Sequence, residues 1–143
     1  MDNLSLEDFY SKNYSQISIV SNDKHMHHVL ASVINSRHYS LKSIFNSNQC
    51  LKNHYFNSIL IIDLLINDMD SLSLIKQLKE RNKESFIMAI MGKPVLEFME
   101  LSAERIKRDA IEHGADSVFI APFNLAELAS TIECLACRDL LSA

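Results

Sequence analysis

The stretch Ser58-Ile-Leu-Ile-Ile-Asp63 decides the fold of this chain. A continuous run of β-branched and large apolar side chains indicates a strand that is buried on both faces, as in the centre of a parallel sheet. Asp63 ends this run with a carboxylate. Burial of a carboxylate is costly unless it meets water, a hydrogen-bond donor or a cation. The strand end therefore marks the middle of the sheet and the first candidate for a functional residue.

Further strands and helices alternate on both sides of this central strand. Strands are predicted by short β-branched and apolar runs, and helices by apolar residues at helical spacing. We expect Gly114 to follow a helix end and Asn124 to cap the last helix. The alternation predicts an α/β fold with a parallel sheet, helices on both faces and right-handed crossovers. The predicted strands are 15–21, 39–45, 58–63, 86–91 and 118–120, and the predicted helices are 25–37, 72–81, 101–113 and 124–141.

Length and composition indicate one domain. The chain has 143 residues, 48% of them hydrophobic, with neither an internal repeat nor a composition shift that would mark a second domain. We assign residues 1–14 to an N-terminal extension, with a short helix expected at 4–11, and residues 15–143 to the domain.

Charge and cysteine usage exclude several classes of partner. The net charge is −4, so nucleic acid and anionic membranes are not expected to bind. The longest apolar run, 59–66, is interrupted by Asp63 and is too short to cross a bilayer. The acidic N-terminus is unlike a secretory leader, and three cysteines do not make a disulfide scaffold. We therefore predict a cytoplasmic protein.

The candidate site follows from the strand ends. In open α/β sheets, function gathers at the carboxyl ends of the strands, near the point where the strand order reverses. Here those ends are 21–23, Asp63, 91–92 and 121–122.

Three segments in the right order resemble the receiver domain of two-component response regulators, the CheY-like family. Residues 58–71 resemble the third strand with its phospho-acceptor and the following loop. Residues 114–116 resemble the family's Gly-Ala-Asp, and residues 122–123 its Pro-Phe. The resemblance covers roughly 16–141. It implies a flavodoxin-like (βα)5 doubly wound fold, a five-stranded parallel sheet in the order 2-1-3-4-5, and Asp63 as the phospho-acceptor candidate.

The metal-binding part of the family's site is altered in this sequence. The register of the first helix aligns the family's acidic pair with Ser21 and Asn22. Asp23 comes one position too late and is expected to point out of the pocket. The resemblance therefore implies that no cofactor is required, and that any Mg²⁺ would be weakly held by Asp63, Asn22 and Asp23, because a single well-placed carboxylate retains a hard cation poorly.

The phosphate-binding part of the site is altered as well. Met91 stands where the family has Thr or Ser, and Ala121 where it has Lys. The aromatic switch position falls on Val118, with Phe119 on the opposite sheet face. Phosphoryl transfer needs fixed positive charge and hydrogen-bond donors around the transferring group. These replacements remove both.

The leading hypothesis is an atypical receiver, not an enzyme, that acts by protein–protein interaction or dimerisation. Its partner would be a histidine kinase, a regulator, an output domain or a second copy bound through the fourth helix, fifth strand and fifth helix, about 101–141. The apolar segment 93–104 would pack on its own domain or add a docking surface. One alternative is a phosphorylation-competent receiver using Asp63. The other is a flavodoxin-like nucleotide or cofactor binder.

Two further clusters have simpler structural interpretations. One possible metal site comprises His25, His27 and His28 beside Asp23. The favoured interpretation is that these are polar residues in an exposed first helical turn. Cys134 and Cys137 form a C-x-x-C inside a predicted helix, where packing explains them better than zinc or redox chemistry.

Overall fold

A computed structural model describes residues 16–34, 40–55, 58–92 and 102–142. The expected helix at 4–11 and most of the apolar segment 93–104 lie outside these residues. Strands and helices alternate throughout the described chain. The strands are β1 (Gln16–Val20), β2 (Ser40–Ile44), β3 (Ser58–Asp63), β4 (Phe86–Met91) and β5 (Ser117–Ile120). The helices are α1 (Lys24–Val33), α2 (Ser47–Lys52), α3 (Ser71–Arg81), α4 (Ala103–Glu112) and α5 (Leu125–Ser142).

The five strands form one parallel sheet in the order β2-β1-β3-β4-β5. The predicted fold class and strand order are therefore confirmed. Strand β3 is central, and all six of its residues are buried, because it is covered on both faces. Asp63 and the end of β1 lie beside the point where the strand order reverses.

Two apolar cores separate the helices into two layers. One core joins one sheet face to α2, α3 and α4, with Leu74, Ile75 and Leu78 of α3 among its buried residues. The other joins the opposite face to α1 and α5, through residues such as Leu30 and Leu128. Side chains alternate between faces along each strand, so a residue's position in its strand determines which core it enters.

Gly114 confirms the predicted end of α4. It has a φ of 122°, a left-handed conformation that glycine adopts without strain. A Cβ on Gly114 would lie 2.9 Å from Cβ of Lys79. The Lys79 ammonium in turn pairs with Asp116 at 2.7 Å, and Asp116 accepts a hydrogen bond from the Ile87 N–H at 2.8 Å. The segment 114–116 thus joins α4 to α3 and β4.

Helix α2 was not predicted from the sequence. It has only six residues, too few for an apolar period to show. Its local signal is a cap: the Asn46 side chain accepts from the Gln49 N–H at 2.7 Å, and Gln49 reaches back to the Phe45 N–H at 3.5 Å. The spacing Asn46-x-x-Gln49 is the feature that could have indicated this helix.

Candidate functional site

Asp63 lies at the carboxyl end of β3, opposite Ile90 of β4. Its side chain is 4% exposed. By alternation it shares the sheet face of Ile59 and Ile61, which pack in the core beneath α1 and α5. The carboxylate of Asp63 therefore lies at the edge of an otherwise apolar core.

Two hydrogen bonds satisfy the buried Asp63 carboxylate. The Ser21 hydroxyl donates to Oδ2 at 2.6 Å, and the Leu65 N–H donates to Oδ1 at 2.9 Å. Ser21 is itself fully buried and accepts from the Asp23 N–H at 3.0 Å. Both carboxylate oxygens thus have a donor, which offsets much of the desolvation cost of burying a charge.

Asn22 joins three loops at the edge of the site. Its Oδ1 accepts from the Asn67 N–H at 2.7 Å, and its Nδ2 donates to the Phe45 carbonyl at 2.8 Å. Nδ2 also lies 3.5 Å from Oδ1 of Asp68. The side chain therefore holds the loop after β3 against the end of β2.

Asp23 is exposed and caps α1. Its Oδ1 accepts from the His25 N–H at 2.9 Å, and Asp23 is also among the residues that line the pocket beside Asp63. An N-cap carboxylate satisfies helix donors that have no partner within the helix.

These contacts do not suit a magnesium ion. Mg²⁺ demands near-octahedral oxygen ligands and usually binds through carboxylates and water. The oxygen of Asn22 is engaged by a backbone N–H, and the carboxylate of Asp23 caps a helix. Of the two carboxylates, only that of Asp63 is buried and caps no helix. Within the described ranges, no group of three or more His, Cys, Asp or Glu side chains could hold a metal ion.

Met91 and Val118 lie together on the far side of the sheet. Met91 is buried in the core of α2, α3 and α4, and Val118 packs against the same core. Phe119 packs in the opposite core, with its ring 5.9 Å from that of Phe123. Val118, the position that the resemblance assigns to switching, therefore shares a core with Met91, on the sheet face opposite Asp63.

Ala121 follows β5 and is held by its backbone. Its N–H donates to the Met91 carbonyl at 2.8 Å, and the Ala121–Pro122 peptide is cis. Ala121 lines the pocket that also contains Asp63. The resemblance aligns a lysine with this position, and a methyl group stands there instead.

A pocket of about 850 Å³ opens beside Asp63, between the N-terminal part of α1 and the start of α5. Its wall is largely apolar, with Met26, Val29 and Leu30 on one side and Phe123 and Leu125 on the other. Polar groups enter it mainly at the strand ends. Among the described residues that line it, none is a lysine or an arginine.

The structure corrects the interpretation of His27. The sequence placed it in an exposed first helical turn, but it is 6% exposed and stacks on Phe45, with ring centroids 4.2 Å apart. Its Nε2 lies 2.8 Å from the Ser21 carbonyl, which can only accept, so Nε2 carries the proton. No polar atom in the described part of the chain reaches Nδ1. His25 and His28 are exposed, as expected.

Sequence reasoning missed Asp68, which joins the loop after β3 to α2. Its Oδ2 accepts from both the N–H and the hydroxyl of Ser47, each at 2.8 Å. Burial alone would raise the pKa of Asp68, but the bonds from Ser47 and Asn22 outweigh it and hold that pKa below its ordinary value. An acid five positions after Asp63 in a loop gives no sequence signal of this contact.

Membrane-spanning helices are not found among the described residues. Across 16–34, 40–55, 58–92 and 102–142, no helix combines the length and apolar character needed to cross a bilayer. Cys134 is exposed within α5, so half of the C-x-x-C lies on a helix surface rather than at a strand end.

Comparison with known proteins identifies the fold through solved structures and not through sequence. No family model matches the sequence, and no curated protein matches it significantly. Solved structures do match. The chain superposes on a CheY-like response regulator receiver domain protein from Methanospirillum hungatei with a TM-score of 0.71 and 17% identity, covering 91% of this chain and 99% of that one. The chain has the receiver-domain fold.

Two further structures with the receiver-domain fold match this chain. One is the response regulator DrrB of Thermotoga maritima, an OmpR/PhoB homologue, with a TM-score of 0.72, 17% identity and 88% of this chain covered. This chain spans 54% of the length of DrrB. The other is a Burkholderia pseudomallei response regulator with a phosphorylated aspartic acid, a calcium ion and citrate, with a TM-score of 0.66 and 19% identity, covering 90% of this chain and 72% of that one. At these identities the likeness establishes the fold.

Proposed function

We propose that this chain is an atypical receiver domain of a two-component-type signalling protein, which acts through protein contacts rather than through conventional phosphorylation of Asp63. The 2.6 Å hydrogen bond from Ser21 to Asp63 carries the proposal. At the position that the resemblance assigns to an acidic metal ligand, this chain has a neutral donor that already satisfies the carboxylate.

The remaining contacts support the same conclusion. Phosphoryl transfer to a carboxylate requires charge neutralisation by a cation and by fixed donors. Asn22 is occupied by loop contacts, Ala121 supplies no ammonium, and Met91 is buried in the opposite core. Asp63 would have to accept a dianionic group beside an apolar wall, without these compensating charges.

Intact-mass measurement after treatment with acetyl phosphate and Mg²⁺ tests the proposal. We expect no adduct of about 80 Da on the wild-type chain. The Asp63→Asn variant is the matched control, because it removes the acceptor and keeps the shape of the side chain. An adduct on the wild type that disappears in Asp63→Asn would overturn the proposal.

A phosphorylation-competent receiver is the second candidate. Asp63 ends the central strand and lines an open pocket, so small phosphodonors have a path to it. The Burkholderia pseudomallei structure, which has the same fold, contains a phosphorylated aspartic acid. The mass experiment separates the two candidates directly.

The proposed interaction surface comprises α4, β5 and α5. Strand β5 is at the sheet edge, and Ile111 of α4 is 54% exposed. The residues one turn earlier, Lys107 and Arg108, are exposed and basic. A partner domain or a second copy would bury Ile111. Sedimentation of the wild type and of Ile111→Glu tests for a homodimer: a wild-type dimer that Ile111→Glu dissociates supports this surface, and a dimer unaffected by Ile111→Glu contradicts it.

The proposed setting is cytoplasmic and non-enzymatic. The partner would be a histidine kinase, a regulator or an output domain, as the resemblance implies. The described site offers one buried acid with two donors and no nucleophile–base pair, which supports a binding role.

A further inference from the structure

We infer that the pocket beside Asp63 binds a primary organic ammonium ion with an apolar body. This goes beyond the proposed function, because it gives the domain a small-molecule ligand whichever protein it contacts. The inference depends on the composition of the wall, the charge of the polar end and the space beside Ala121.

The wall of the pocket favours an apolar body. Side chains from α1 and α5 face each other across it, and most of the surface they present is carbon. The volume of about 850 Å³ lies in the range of small-molecule pockets, which are typically apolar with a few placed polar groups. The apolar lining residues are Met26, Val29, Leu30, Ile90, Phe123 and Leu125.

The polar end of the pocket favours a cation. Its described lining contains the acids Asp63 and Asp23 and, besides His25, no basic residue. Asp63 is buried and uses one donor on each oxygen, whereas a carboxylate has about four acceptor sites. A third, charge-assisted bond from an ammonium would meet this capacity in apolar surroundings, where such bonds are strongest.

The space beside Ala121 favours a primary ammonium. The resemblance aligns a lysine with this position, and here the side chain ends at Cβ. Ala121, Gly92 and Asp63 line the same pocket. A free alkylammonium would therefore occupy the region that a lysine side chain at residue 121 would fill, with its body along the apolar wall. The buried carboxylate of Asp63 disfavours an anionic ligand beside it.

Titration with hexylammonium, followed by amide chemical shifts of the ¹⁵N-labelled chain, tests this inference. The neutral isostere is 1-hexanol. We expect saturable shifts at residues of the pocket and affinity for hexylammonium at least about tenfold above that for hexanol, because the charged group adds a charge-assisted bond. Equal affinities, or no saturable binding of hexylammonium at millimolar concentration, would overturn the inference.

Two variants test the position of the ammonium. Asp63→Asn removes the charge and should weaken hexylammonium binding at least about tenfold while leaving hexanol binding unchanged. Ala121→Lys supplies a tethered ammonium and should abolish hexylammonium binding by occupying the site. Glu104→Gln, which removes an exposed acid outside the pocket, should bind as the wild type does. Unchanged binding by Asp63→Asn or Ala121→Lys, each with a wild-type amide spectrum, would contradict the assignment. If one variant does not fold, the other variant and the comparison of hexylammonium with 1-hexanol still test the position of the ammonium.

Discussion

A hydroxyl at residue 21 changes what the carboxylate of Asp63 needs from its surroundings. An acid there would repel Asp63 at close range and both would need a cation, whereas Ser21 donates a hydrogen bond directly. The pair is buried, so its energetics are not screened by solvent. Two neutral donors, the Ser21 hydroxyl and the Leu65 N–H, thus satisfy the carboxylate of Asp63.

Ser21→Ala should destabilise the fold by about 1–3 kcal/mol, because it leaves one oxygen of a buried carboxylate without its donor. Urea denaturation followed by circular dichroism measures this free energy of unfolding. Ser32→Ala is the matched control, because its hydroxyl bonds a helix carbonyl at the surface. The losses of unfolding free energy caused by Ser21→Ala and by Asp63→Asn should not add in the double variant, since both substitutions disrupt the same hydrogen bond. Additive losses would show that the bond contributes little.

Asp68 gives the fold a weak dependence on pH. Its pKa is lowered in the folded state, so its contribution to stability is fully present above the ordinary value of about 3.9 and is lost as the pH falls through the lowered pKa. The side chain is exposed, so the contribution is small. The difference in unfolding free energy between wild type and Asp68→Asn should be positive at neutral pH and vanish in acid. A difference that does not change with pH would contradict the assignment.

The contacts of single side chains were the least predictable feature of the site. The sequence identified Asp63, Ser21 and Asn22 as neighbours, because strand ends meet at one sheet edge. It could not show that Ser21 donates to Asp63, or that His27 is buried under Phe45. Both depend on contacts between segments far apart in the chain, and local periodicity carries no information about those.

At the scale of elements, the strands were predictable from short β-branched and apolar runs, and the longer helices because their apolar periods extend over ten or more residues. Strand β3 and helix α3 match the prediction to within one residue. Helix α2 was missed because its six residues are stabilised by caps, and Asp68 adds one of these from a distant loop. Short elements fixed by tertiary contacts are not visible in a hydrophobic pattern.

The two described glycines with crowded Cβ positions should respond differently to alanine. Gly114→Ala should cost more than about 1 kcal/mol, because φ is positive and the new Cβ meets the stem of Lys79. A Cβ on Gly92 would lie 2.7 Å from the terminal methyl of Met26, which can rotate away. Gly92→Ala should therefore lower the free energy of unfolding by only about 0.5 kcal/mol. Thermal unfolding of both variants measures the difference. Equal losses would show that the end of α4 tolerates a side chain.

At the scale of the whole molecule, the fold and the chemistry of the site depend on different parts of the sequence. The parallel strands and the two helix layers follow from where apolar runs fall and were predictable from them, whereas the strand order was implied by the resemblance. The proposed chemistry depends on four residues at the strand ends, and three of them, Ser21, Asn22 and Ala121, lie outside the apolar runs. This separation would allow a receiver-domain fold to persist while the groups for phosphoryl transfer are replaced, as we propose for this chain.

Restoring those four residues should therefore restore the chemistry on the existing fold. The variant Ser21→Asp, Asn22→Asp, Met91→Thr and Ala121→Lys places two acids beside Asp63, a hydroxyl on β4 and an ammonium after β5. Three carboxylates in one site repel one another without a cation, so the variant should be less stable than the wild type in EDTA. Mg²⁺ should raise its melting temperature, with a gain of about 2.7 kcal/mol at a hundredfold excess over Kd.

The restored variant should also gain an adduct of about 80 Da from acetyl phosphate and Mg²⁺. The matched control adds Asp63→Asn to the four changes and should gain none. Ser21 is fully buried, and Ser21→Asp removes the hydroxyl that donates to Asp63. The introduced carboxylate must therefore be stabilised by contact with the metal ion. A variant that binds Mg²⁺ but gains no phosphate would place the remaining defect in the loop after β3, where the resemblance aligns Asn67 and Ser71 with a proline and a glycine. A variant that folds as the wild type does, yet neither binds Mg²⁺ nor gains phosphate, would contradict this prediction. The backbone at the strand ends would then not position the four side chains for phosphoryl transfer.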